Sequence, residues 1–275
     1  MAAQPFWGNE TIMQSLGLTP DLLAYGDSWF WYPNNDLLIP INALWGGTKT
    51  LLAKGKNGAE LREMVGGTPR LWNDFKSAMS GYPTIQCVLL SAGGNDFAGV
   101  QHFQSLLKVD CSAAATADDC FDPGDATQNI ERQPWRMLRE LATNYQTLID
   151  FIRSVKPSVP IVLQNYDYAI PTGIGFGGIK GGIFGLGDWL QQPLIDRGVP
   201  TALQNDVVRR LMDDFITVLE ALASPAQNHD VYLVETAGTL QDADWANEMH
   251  PTSAGFNRLG ECFRPLLKQL IPGTP

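Results

Sequence analysis

Five short apolar runs, separated by longer stretches of helical periodicity, restrict this chain to one kind of architecture. The clearest run is Ile85-Gln86-Cys87-Val88-Leu89-Leu90-Ser91, almost continuously apolar, as a parallel strand covered on both faces requires. Comparable runs lie near residues 22–25, 50–53, 161–166 and 230–235. Between them, Trp135, Leu138, Leu141, Tyr145, Leu148, Ile149 and Ile152 recur at three- and four-residue intervals, which predicts an amphipathic helix ending before Pro157. Val207, Val208, Leu211, Phe215, Val218, Leu219 and Leu222 predict another, Leu61, Met64 and Val65 a shorter one, and a last helix runs to about Leu270. Strand and helix alternating in this way give an α/β fold in three layers, α/β/α, around a parallel sheet of about five strands.

At 275 residues the chain can bury a full core, and a single domain over residues 1–275 is expected. Two segments depart from the periodicity. One is a polar, Asp-rich insertion around 109–132; the other is a Gly-rich apolar flap around 171–187. The flap contains Gly173-x-Gly175-x-x-Gly178, which formally matches a dinucleotide fingerprint. Those glycines follow their strand at a distance and do not open into a helix, so no nucleotide site is read there.

A formal net charge of −10 argues against nucleic acid and anionic membrane surfaces, which reward clustered Lys and Arg. No window reaches the length of a membrane span, and the first residues lack the pattern of a signal peptide. A soluble protein is expected, cytoplasmic unless a signal peptide has been removed or export is signal-independent. Cys87, Cys111, Cys120 and Cys262 show no C-x-x-C spacing and no nearby histidine pair, so no metal site is expected. Cys111 and Cys120 flank one loop and could either close a small disulfide or remain free thiols.

The chemistry gathers at the carboxyl ends of the strands. The first run stops on Gly26-Asp27-Ser28-Trp29, which sets a hydroxyl and a backbone N–H at the mouth of a helix. Asp and Ser also cap ordinary helices, so this tetrapeptide acquires meaning only from its company. After the second run comes Lys54-Gly55-Lys56-Asn57-Gly58, where a glycine lets backbone N–H groups approach a ligand. After the third comes Gly93-Gly94-Asn95-Asp96, whose Asn amide can donate to a developing negative oxygen. Beyond the fifth, His250-Pro251 precedes a helix start signal. Trp29, in the dense run Trp29-Phe30-Trp31-Tyr32, and Phe176, in the flap, are read as walls of a substrate cleft.

Taken together, these blocks resemble the SGNH hydrolases, the GDSL-type esterases and lipases, over about residues 22–262. Ser28 matches the first block, Gly58 the second, Asn95 the third and His250 the fifth, and Trp29 stands where the name-giving leucine would be. The resemblance implies a flavodoxin-like sheet, with Ser28 as acylated nucleophile and His250 as general base and acid. It further implies an oxyanion hole built from the N–H groups of Ser28 and Gly58 and the side chain of Asn95. One position departs: where the family usually has Asp three residues before the histidine, this chain has Asn247. Asn can orient an imidazole but brings no charge. Asp244 is ranked first among carboxylates that could supply it, with Glu248 and Glu235 as alternatives.

The expected function is cleavage of carboxylic esters of acyl chains through an acyl-serine, with no cofactor and with a small-molecule or lipid ester as the partner. Carbohydrate deacetylation and thioester cleavage are alternatives on the same fold, because loops set the substrate. A non-catalytic lipid- or carbohydrate-binding protein is the alternative that the missing Asp favours.

Overall fold

In a computed structural model of the chain, residues 7–32, 35–98, 100–124, 133–183, 187, 189–271 and 273 are described. Five strands, β1 (Leu22–Gly26), β2 (Leu51–Gly55), β3 (Cys87–Ser91), β4 (Ile161–Gln164) and β5 (Val231–Val234), form a sheet in the order β2-β1-β3-β4-β5. Every neighbouring pair is parallel. The central strands β1 and β3 are buried along their whole length, which is why their sequences are apolar without alternation. The order reverses at β1, and in open α/β sheets such a reversal leaves a crevice beyond the carboxyl ends of the strands.

The register makes that crevice level. Gly26 lies opposite both Gly55 and Ser91, so β1, β2 and β3 end side by side. Close approach explains the glycine at the end of β2. Gly55 has φ 146°, and a Cβ there would fall 2.0 Å from the Gly26 carbonyl oxygen.

In chain order the helices are α1 (Glu10–Ser15), α2 (Ser28–Trp31), α3 (Leu38–Ala43), α4 (Pro69–Gly81) and α5 (Gly94–Phe97). They continue with α6 (Val100–Leu106), α7 (Gln133–Val155), α8 (Gln191–Asp196), α9 (Gln204–Ala223) and α10 (Ser253–Leu270). α7 packs between α4 and α9, whereas α3 packs on α10, so the two groups flank the sheet as the strand–helix alternation predicts.

Two local differences from the sequence reading have physical causes. The run at 161–166 stops pairing at Gln164, because the Gln164 side chain accepts the Tyr166 N–H at 2.7 Å and Tyr166 turns to φ 59°. The short helix predicted around Leu61, Met64 and Val65 is a single π-helical turn, Glu63–Gly67, broken by Gly66 at φ 134°. Pro69 then opens α4 from its first position, where a missing N–H costs nothing. Cys111 and Cys120 are buried free thiols, and Cys111 Sγ lies 3.4 Å from the Cys120 carbonyl oxygen. Parts of the insertion at 109–132 and of the flap at 171–187 lie outside the described residues. Among the described residues no helix is long and apolar enough to cross a membrane.

Candidate active site

β1 delivers its last residues into a helix with no room for a loop. Asp27 caps α2 by accepting the Trp29 N–H at 3.0 Å, which places Ser28 at the first helical position, beyond the sheet edge. From the far end of the chain, the loop before α10 folds back to meet it. His250 O accepts the Ala246 and Asn247 N–H groups, and Thr252 then caps α10 by accepting from Gly255 N. The result sets His250 Nε2 2.8 Å from Ser28 Oγ.

The other side of the imidazole determines its proton. Asn247 Oδ1 accepts the backbone N–H of Met249 at 2.9 Å and of His250 at 2.8 Å, so this atom is the amide oxygen. The same oxygen lies 3.1 Å from His250 Nδ1 and can only accept there. Nδ1 therefore carries the proton of the neutral ring, and Nε2 presents a lone pair to the Ser28 hydroxyl. Tyr32 stacks on the imidazole with centroids 4.0 Å apart and an interplanar angle of 20°, and Trp189 meets it edge-on at 6.0 Å. Enclosed in this way, the ring is pushed down to a pKa of about 3 by burial.

The structure does not bring Asp244 to His250. Its carboxylate takes the Gln241 N–H at 3.0 Å and faces Arg258 Nε at 3.3 Å, which holds it on the α10 side of the loop. Glu248 is fully buried but spends its oxygens on three other backbone N–H groups, and Glu235 is exposed beyond β5. The position that the resemblance reserves for a charge is filled by a neutral amide.

Asp27 is the buried carboxylate of this site, and it lies behind the serine. Its Oδ1 accepts from Trp29 N and Ser91 Oγ; its Oδ2 accepts from Tyr166 O–H at 2.5 Å and Asn95 Nδ2 at 3.3 Å. Burial pushes its pKa up to about 6 against the pull of those donors. Asn95 also donates to Ala59 O at 3.1 Å, and Leu61 N donates to Asp96 Oδ2, so the ends of β2 and β3 are stitched together beside Ser28. Gly58, at φ 73°, borders the same opening.

These groups share a cleft of about 390 Å³, within the usual range for a small-ligand site. Tyr32, Phe176, Trp189 and Met249 form one flank, whereas Asn57, Glu60, Asn95 and His102 form a polar one. Phe176 lines this cleft, edge-on to Tyr32 at 6.0 Å. Trp29 does not. It is 3% exposed, its indole N–H donates to Met249 O at 2.9 Å, and its ring meets Tyr166 and Phe256 edge-on. One helical turn further, Tyr32 occupies the wall expected of Trp29. His102 lies on the polar flank, 3.8 Å from Glu60.

No protein-family model and no curated protein matches the chain. Solved structures do. The lipase Lip_vut3 from a goat rumen metagenome is similar with a TM-score of 0.55 at 14% identity, over 90% of this chain and 97% of that one. A Streptococcus pneumonia protein described as a candidate platelet activating factor is similar with a TM-score of 0.53 at 14% identity, over 94% of this chain and 90% of that one. These proteins share the α/β architecture, a parallel five-stranded sheet with flanking helices, that the strand–helix alternation predicts. At such identity the likeness is one of fold, and the chemistry must be argued from the site itself.

Proposed function

We propose that the protein is a serine hydrolase of carboxylic esters, with Ser28 as nucleophile and His250 as general base and acid. The observation that carries this reading is the 2.8 Å contact between Ser28 Oγ and His250 Nε2, with Nδ1 committed to Asn247. A serine hydroxyl is a weak nucleophile until a neighbouring base takes its proton, and here the only lone pair of the ring points at that hydroxyl. Attack on an ester carbonyl forms the Oγ–C bond as the proton passes to Nε2. Collapse breaks the bond to the alcohol oxygen, which takes that proton, and water repeats the sequence to release the acid.

The oxyanion would be received by the N–H groups of Ser28 and Gly58 and by Asn95 Nδ2. Asn95 already donates at 3.1 and 3.3 Å to two acceptors. It serves the oxyanion by sharing a proton or by releasing the longer contact to Asp27. Asn247 acts as orienter, which secures the tautomer without stabilising the imidazolium by charge. The aromatic flank of Tyr32, Phe176 and Trp189 supports acyl esters as substrates.

A second reading, a binding protein on a hydrolase fold, draws on the neutral residue at Asn247. A series of chromogenic acyl esters from acetyl to long chain, with the native protein and Ser28→Ala, separates the two. Turnover by the native protein and its loss in the variant are expected. Turnover unchanged in Ser28→Ala removes Ser28 from its role, and no turnover at any chain length supports the binding protein.

A further inference from the structure

Glu248, two residues before His250, carries a carboxylate that is fully buried and accepts three backbone N–H groups. Its Oε1 accepts the N–H of Gly173 at 2.8 Å and of Gln191 at 2.9 Å, and its Oε2 accepts the N–H of Leu190 at 3.0 Å. Gly173 and Leu190–Gln191 are the two roots of the Gly-rich segment. One side chain therefore clasps both. Two further contacts reinforce the clasp: Glu248 N–H donates to Ile174 O at 3.0 Å, and Gln191 Nε2 donates to Pro171 O at 3.0 Å.

What the clasp holds is a wall of the cleft. Phe176 follows the first root by three residues and lies against Tyr32; Trp189 immediately precedes the second root and lies against His250. A buried carboxylate is tolerated only where donors replace its water, and three backbone N–H groups at the two ends of one Gly-rich stretch supply them. The interaction is reciprocal, because those N–H groups would otherwise be orphaned in the interior.

Resting on the reading of Ser28 and His250 given above, we infer that Glu248 is a positioning residue that ties the Gly-rich segment to the histidine loop and thereby sets the apolar wall against which the acyl chain of a substrate packs. A short acyl group reaches Ser28 with little use of that wall. A long one depends on it. Loosening the clasp should therefore act on the preference between chain lengths, more than on the proton transfer.

Glu248→Gln is the direct test. The replacement preserves one oxygen for Gly173 and Gln191 and turns an NH₂ group toward the Leu190 N–H, donor against donor. Hydrogen exchange at the amides of Gly173, Leu190 and Gln191 should accelerate by about tenfold or more. The ratio of kcat/KM for an octanoyl over an acetyl p-nitrophenyl ester should fall about tenfold, through KM of the octanoyl ester, with the pH limb of kcat/KM in place. Unchanged exchange at the three amides overturns the clasp. Accelerated exchange with equal losses on both esters overturns its role in chain-length preference and leaves a purely structural tie. Should Glu248→Gln fail to fold, Trp189→Ala removes the wall with the clasp intact and is expected to lower the same ratio; an unaltered ratio refutes the proposal. If the native protein turns over neither ester, the reading of Ser28 fails, and the exchange measurement still decides the clasp.

Discussion

Asn247→Asp tests the proton bookkeeping of the site most sharply, because it restores a charge where the structure has only an orienting oxygen. The new carboxylate would inherit the donors of Met249 N, His250 N and His250 Nδ1, and its second oxygen would replace the Nδ2 now 3.5 Å from Tyr32 O–H. No side chain need move. A unit charge roughly 4–5 Å from the ring centre, at an effective dielectric near 20, is worth about 3–4 kcal/mol, or roughly two to three pKa units. The sign follows directly: a neighbouring anion favours the protonated ring, so the His250 pKa rises. From about 3 in the native protein, the acid limb of kcat/KM should move to about 5–6 in the variant. An imidazole held so low is also a feeble base, and raising it toward the working pH should increase kcat about 10- to 100-fold at pH 8. The assay is the pH dependence of kcat/KM for an acetyl ester, on native protein and variant, between about pH 2.5 and pH 8. A variant whose acid limb stays where the native limb lies would refute the placement of Asn247 against Nδ1.

Other expectations follow from the same contacts. Asn95→Ala should lower kcat about 10²-fold with the fold intact by circular dichroism; a change below about threefold would remove Asn95 from the oxyanion hole. Tyr166→Phe deletes the 2.5 Å donor to the buried Asp27 carboxylate and should cost about 1.5–3 kcal/mol in urea unfolding at pH 8. Asp36 caps α3 by taking the Leu38 and Ile39 N–H groups on one oxygen, and burial pushes its pKa up to about 7. A carboxyl raised on folding binds more protons in the native state, so its contribution is present below the unfolded pKa and is lost as pH rises toward 7. Asp36→Asn preserves the accepting oxygen and should stabilise by more than about 1.4 kcal/mol at pH 8 and by almost nothing near pH 4; equal effects at both would refute it.

What the sequence made legible were groups whose position follows from the chain's own local signals. Ser28, Asn95 and His250 each sit where a strand or loop meets a helix start, and the register of β1, β2 and β3 brings the first two to one edge. Trp29 was misplaced because α2 is a single turn, and nothing local says which of its aromatics faces the sheet. The structure turns Trp29 into the core and Tyr32 to the imidazole. From sequence Asp244 reads as available, because Arg258, its partner, lies fourteen positions on, and only the packing of α10 shows that they meet. Tyr166, Trp189 and Glu248 carried no signal of their own. Their roles arise from contacts across 139, 61 and 75 residues of chain, which periodicity does not encode.

Two buried carboxylates, Asp27 next to Ser28 and Glu248 two residues before His250, share a logic that bears on the neutral Asn247. Asp27 lies behind the nucleophile and Glu248 behind the base, and each is satisfied by donors that belong to the scaffold: Trp29 N, Ser91, Tyr166 and Asn95 for the first, three backbone N–H groups for the second. Both hold backbone and amide groups in place around the site, and on the reading of Ser28 as nucleophile preorganised donors are the larger part of stabilising an oxyanion. Orientation of the ring has been separated from its electrostatic support. Asn247 supplies the first, and stacking on Tyr32 offers an aromatic face to the imidazolium that forms on proton transfer. Tyr32→Leu should therefore lower kcat more in the native background than beside Asn247→Asp, where a carboxylate takes over the charge; equal losses in both backgrounds would show that the tyrosine only fills space.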